Sequence, residues 1–93
     1  MRKRARVDDN QREIVNALRD IGASVLSLAT IGGGCPDLVV GYRGTNYLLE
    51  VKDGGKSPSK RKLTKDEENF INNWRGRVAV VYSIDDAIGA ICG

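Results

Sequence analysis

The chain has 93 residues, of which 41% are apolar and 29% charged, the balance of one small soluble domain closing a single modest core. No apolar run approaches the roughly 18 to 20 residues that span a bilayer, and the basic start Met1-Arg2-Lys3-Arg4-Ala5-Arg6 leads into Asp8 and Asp9 rather than into an apolar signal core. With no histidine anywhere, Ser-His-Asp and Cys-His catalysis, His-ligated zinc and nucleases built on a histidine base are excluded.

Residues 1–7 form a basic arm, with Arg2, Lys3, Arg4 and Arg6 among the first six positions, and the domain proper is expected over 8–93. From Asn10 the pattern turns helical. Asn10 can cap, Glu13 stands three places on, and Ile14, Ala17, Leu18 and Ile21 recur on one stripe until Gly22 ends it. At 100° per residue Gln11 points along that stripe, whereas Glu13 lies at its margin.

Val25 to Leu28 follows, then the Gly-rich loop Thr30 to Pro36, then the β-branched run Asp37-Leu38-Val39-Val40. Arg43-Gly44-Thr45-Asn46 is a turn signal, and Tyr47 to Lys52 reads as the returning strand. Strand alternation puts Tyr47, Leu49 and Val51 on one face and Leu48, Glu50 and Lys52 on the other. Gly54 to Lys60 reads as a flexible basic loop without packing residues, within a stretch where Lys52, Lys56, Lys60, Arg61, Lys62 and Lys65 meet only one acid, Asp53. Two basic clusters on so small a domain suit a polyanionic partner. Thr64 with Glu67 is a capping box opening a helix expected to bury Phe70, Ile71 and Trp74; Trp74 and Phe70 could instead stack on bases, but their four-residue spacing is better explained as core. Val78 to Tyr82 is an apolar strand, and Ser83 caps a last helix carrying Ile84, Ala87, Ile88 and Ile91. The order is αβββαβα, an α/β fold in one small domain.

Pro36-Asp37, followed thirteen residues later by Glu50-Val51-Lys52, is the sharpest chemical signal. Asp37 opens one strand of a hairpin and Glu50 lies near the end of its partner, so the two carboxylates can converge at one end of the sheet. Paired carboxylates suit Mg²⁺ or Mn²⁺, and Lys52, on the same face as Glu50, can neutralise charge developing on a phosphate or position the attacking water. The competing view makes Asp37 a turn cap and Glu50 and Lys52 surface residues. Charged groups at the ends of apolar strands are costly to shield unless something uses them. Gly55-Lys56-Ser57 imitates the end of a phosphate-binding P-loop, but the position of the required earlier glycine holds Glu50 and Pro58 interrupts the following helix. Cys35 and Cys92 are too few for a four-cysteine zinc site and read as reduced bystanders.

Cys35-Pro36-Asp37-Leu38-Val39-Val40-Gly41 with Leu49-Glu50-Val51-Lys52 resembles the PD-(D/E)XK nuclease superfamily, and within it the small stand-alone virus-type replication-repair nuclease (VRR-NUC) domains of phages and prophages. The likeness extends over residues 8 to 91. It implies a restriction-endonuclease-like αβββαβ core, with a central mixed sheet flanked by helices. It further implies Asp37, Glu50 and the Val51 carbonyl as ligands of Mg²⁺ or Mn²⁺, and Lys52 as the catalytic lysine. Relatives often place an acid in the first helix; here Gln11 is favoured for that auxiliary place, with Glu13 second. Glu67 stands where relatives often carry glutamine.

The function expected is a metal-dependent DNA endonuclease selective for duplex, flap or four-way junction structure, with Lys56, Lys60, Arg61 and Lys62 on the DNA backbone. A homodimer, a replication or repair protein as partner, no membrane association, and a setting in the cytoplasm of a phage-infected or lysogenic bacterium complete that expectation. The alternatives are a non-catalytic DNA-binding accessory module on the same fold and a small scaffold for acidic proteins.

Overall fold

A computed structural model describes residues 9–93; the basic arm over 1–7 lies outside the described residues. Helix α1 (Gln11–Asp20) leads to β1 (Ser24–Ser27), β2 (Leu38–Tyr42) and β3 (Thr45–Val51). A 3-10 turn over Pro58–Lys60 interrupts the basic loop before α2 (Lys65–Asn73), β4 (Val78–Val81) and α3 (Ile84–Cys92). The four strands form one sheet in the order β1-β2-β3-β4, antiparallel except for the parallel β3/β4 pair. This is the αβββαβ restriction-endonuclease-like arrangement with a mixed sheet, and α3 is appended. No described helix is long and apolar enough to cross a membrane.

The register explains the core. Leu38 pairs with Leu49 and Val40 with Tyr47, so alternation sends Leu38, Val40, Leu49 and Val51 to one face, joined by Val81 opposite Val51. Ile14 and Leu18 of α1 and Ala87 and Ile91 of α3 close over them in a continuous buried cluster. The 3.6-residue stripe of α1 is the reason that Gln11, Ile14 and Leu18 are its buried residues. Ile21 departs from the expected stripe: it is the C-cap residue and is exposed.

The hairpin turn is tighter than the sequence suggests. Tyr42 pairs with Thr45, leaving Arg43 and Gly44 as a two-residue loop with φ of 51° and 80°, the positive-φ pair that matches strand twist. Thr45 and Asn46 belong to β3.

The opposite face of the sheet is less completely covered. The capping box that opens α2 is formed as expected: Thr64 Oγ1 accepts from the Glu67 backbone N–H and Glu67 Oε1 accepts from that of Thr64. No residue of α2 is fully buried, however. Phe70 and Ile71 are half-buried, and Trp74 is 47% exposed, stacked on Phe70 rather than enclosed in the core. An apolar stripe at helical spacing marks the face a helix turns inward; it does not say how far the neighbouring layer extends over it.

Candidate active site

Asp37, Glu50, Val51 and Lys52 come together where β2 begins and β3 ends. The backbone carbonyl of Asp37 accepts from the Leu28 N–H at 2.7 Å, which fixes the strand start. Its carboxylate Oδ2 accepts from the Val51 N–H at 2.7 Å, so Asp37 is tied across the hairpin to the residue after Glu50. Pro36 is buried just before it, and Gly34 (φ +81°) lies where a Cβ would overlap the Asp66 carbonyl. Only glycine lets this loop rest against the first turn of α2.

Glu50 is 3% exposed and its Oε1 has no hydrogen-bond partner. Burial first, then the charge of Asp37 and further that of Glu67, push its carboxyl up to about 9, against the opposing pull of Lys52. Its carboxyl therefore keeps a proton to higher pH than an ordinary glutamate does. Lys52 Nζ lies 3.8 Å from Glu50 Oε2 and donates to Glu67 Oε1 at 2.9 Å. Burial works to raise the Glu67 pKa, but the hydrogen bond from Lys52, the Thr64 backbone N–H and the lysine's charge outweigh it, holding Glu67 below the ordinary range.

Gln11 is also buried, and its Oε1 is unpartnered. Its neighbour Asn10 does not cap the helix; the Asn10 side-chain amide donates to the carbonyls of Lys52 and Tyr82, both at 3.2 Å. That staple brings the first turn of α1 to the ends of β3 and β4. Glu13, the second candidate, is exposed. It lines an open cleft of about 580 Å³ with Asn10, Asp53, Arg61, Tyr82 and Asp85, apart from the Asp37–Glu50 pair.

The donor set suits a hard divalent cation: two carboxylates, one with a buried unpartnered oxygen, and neutral carbonyl oxygens nearby. Among the described residues no three acids or thiols gather into a metal-binding group, so neutral oxygens or water would have to complete the shell. Cys35 stands beside the acids. Burial and then the charges of Glu50 and Asp37 push its thiol up, which keeps it out of thiolate chemistry.

The four basic loop residues are less alike than the sequence suggests. Lys60 and Lys62 are exposed, whereas Lys56 Nζ is 3.4 Å from Asp9 Oδ2. Arg61 reaches the Gly54 carbonyl at 3.5 Å and lies 6.0 Å from the centroid of the Tyr82 ring. Lys56 and Arg61 thus help to shape the loop. Sequence reasoning missed the Lys52–Glu67 pair and the Asn10 staple. The placement of Glu67 as a capping-box acid beside a lysine-rich loop was the available signal for the first; for the second there was none.

A family model described as archaeal Holliday junction resolvase (Hjc) matches residues 2–84. A solved structure described as a VRR_NUC domain is 30% identical, with a TM-score of 0.56 over 87% of this chain and 88% of that one. No curated protein matches. The matched span, the mixed sheet and the acid pair beside its lysine agree: the chain belongs to the archaeal Holliday junction resolvase (Hjc) family of PD-(D/E)XK nucleases and is a VRR-NUC nuclease domain.

Proposed function

We propose that the protein is a divalent-metal-dependent endonuclease that hydrolyses phosphodiester bonds in branched DNA, four-way junctions foremost. The observation that carries this reading is Glu50, an acid held 3% exposed with an unpartnered oxygen, beside Asp37 and 3.8 Å from an ammonium group. A buried acid pair of this kind is costly in a protein that does not use it. The name of the matching family supports the junction as substrate.

Asp37, Glu50 and the Val51 carbonyl would hold Mg²⁺ or Mn²⁺, with Gln11 Oε1 as the auxiliary oxygen. A cation bound there supplies Lewis-acid polarisation of a phosphoryl oxygen and a water acidic enough to attack near neutral pH. Lys52 places a positive charge where charge develops on the phosphate, and Glu67 sets its direction. Lys60 and Lys62, exposed on the loop, meet the DNA backbone. A homodimer would offer two such sites to the opposed strands of a junction, and phage DNA replication, repair or recombination is the setting this reading assigns.

Cleavage of linear, flap and four-way DNA with Mg²⁺, with Mn²⁺ and with chelator tests the reading. Cutting that needs the cation, and that falls by two to three orders of magnitude in Lys52→Ala with little change in DNA affinity, is expected. A protein that binds junctions but cuts nothing with either cation is an accessory module instead.

A further inference from the structure

We propose that Trp74 is a stacking platform for an unpaired base of the DNA, an inference that rests on the nuclease reading and narrows its substrate to strands with a locally open base. Trp74 is the chain's single tryptophan. It caps the C-terminal end of α2 and is 47% exposed. The Phe70 ring lies against it, with centroids 5.1 Å apart and planes inclined by 15°. At its edge the backbone turns so closely that a Cβ on Gly76 would stand 2.9 Å from Trp74 Nε1. The indole is thus backed by one ring and hemmed by the chain, yet almost half of the residue faces solvent. An aromatic held in this way loses little freedom when a base stacks on it.

Its charge surroundings choose the occupant. From Asn69 to Ser83 there is no acidic residue, while Arg75 and Arg77 flank Gly76 and are both exposed. Arg77 is held with its guanidinium carbon 5.7 Å from the centroid of the Tyr47 ring. Nucleic acid brings bases for the aromatic and phosphates for the arginines together. A second copy docking here about a two-fold axis would bring like arginine-bearing patches together, which is unfavourable. The position along α2 fits as well. Glu67, at the other end of the helix, holds Lys52, and seven residues of helix at 1.5 Å each put Trp74 about 10 Å further on. That is the length of about three stacked nucleotides, at roughly 3.4 Å each, from the Lys52 end of α2.

The single tryptophan supplies its own probe. In chelator, so that nothing is cut, the protein is titrated with two DNAs of matched sequence, one fully paired and one with a single-stranded branch, while indole emission is followed. Stronger quenching by the branched DNA is expected. Trp74→Ala should lower the preference for branched over paired DNA, read as the ratio of the two Kd values, by about tenfold to a hundredfold, and Trp74→Phe should restore part of it. Equal quenching by both DNAs, or an unchanged ratio in Trp74→Ala, overturns the proposal. So does an unchanged ratio accompanied by a fall from dimer to monomer in sedimentation, which would assign the ring to an interface between copies. Metal-supported cleavage measured in parallel separates the two readings: a protein that cuts no DNA sinks the nuclease reading, whatever the quenching ratio shows.

Discussion

Lys52 Nζ donates to Glu67 Oε1 across 2.9 Å, and the same oxygen accepts the Thr64 backbone N–H at 2.8 Å. One carboxylate oxygen thus ties the lysine at the end of β3 to the opening turn of α2. Glu67→Ala removes half of the capping box and a hydrogen-bond partner of a lysine that is 9% exposed, and should cost about 1 to 3 kcal/mol of stability in urea denaturation. Glu67→Gln keeps an acceptor oxygen at both contacts and should stay within about 1 kcal/mol of the parent. Turnover should follow the same order, with DNA affinity nearly unchanged. Equal losses in the two variants would show that the negative charge, and not the position of Lys52, is what matters.

Asp37 carries a structural duty beside the cation-holding role proposed for it. Because its Oδ2 accepts the Val51 N–H at 2.7 Å, Asp37→Ala leaves a backbone donor without its partner and should lower stability by about 1 to 2 kcal/mol. Asp37→Asn retains an acceptor oxygen and should recover most of that while remaining inactive. If Asp37→Asn cut at the parental rate, Asp37 would not hold the cation.

The pairing of faces was readable from the chain because strand alternation is strict. Glu50 and Lys52 share a face, and they lie within 3.8 Å of each other. The α1 stripe likewise put Gln11 among buried residues and Glu13 outside. Contacts between segments distant in sequence leave no such periodic trace. Glu67 reaches Lys52 across fifteen residues, and Asn10 reaches the Tyr82 carbonyl across seventy-two. Trp74 misled for a related reason: its spacing from Phe70 is that of a buried stripe, but no residue of α2 is fully buried and the ring stacks on Phe70 at the surface.

The pH dependence of the metal-free protein should carry the signature of Glu50. Its carboxyl is raised from 4.5 to about 9 in the folded state, so the folded protein binds more protons than the unfolded chain between those values. The contribution is fully present below about 4.5 and is lost as pH rises toward 9, with a slope of at most about 1.4 kcal/mol per pH unit. Thermal melts in chelator should show a higher Tm near pH 6 than near pH 8.5. Glu50→Gln should flatten this dependence and raise stability at the alkaline end. An equally steep decline in Glu50→Gln would place its origin elsewhere.

The basic loop divides into residues that face solvent and residues that shape it. Lys60 and Lys62 are exposed, and replacing both with Ala should reduce the log–log salt slope of DNA binding by up to about 2 units, for paired and branched DNA alike. Arg61→Ala, which loses the Gly54 and Tyr82 contacts, should also loosen the loop, seen as faster amide exchange over 54–62. An unchanged salt slope in the double variant would move the phosphate-tracking surface away from this loop.

Calorimetric titration of Mn²⁺ into the metal-free protein, set beside four-way junction cleavage in the same buffers, tests the central claim most directly. The parent should bind the cation with release of close to one proton at neutral pH, since Glu50 must lose its proton to become a ligand. Cleavage should appear over the same cation range, and Glu50→Gln should lose both. Junction cleavage that persists in chelator, or that survives in Glu50→Gln without cation binding, would contradict the account.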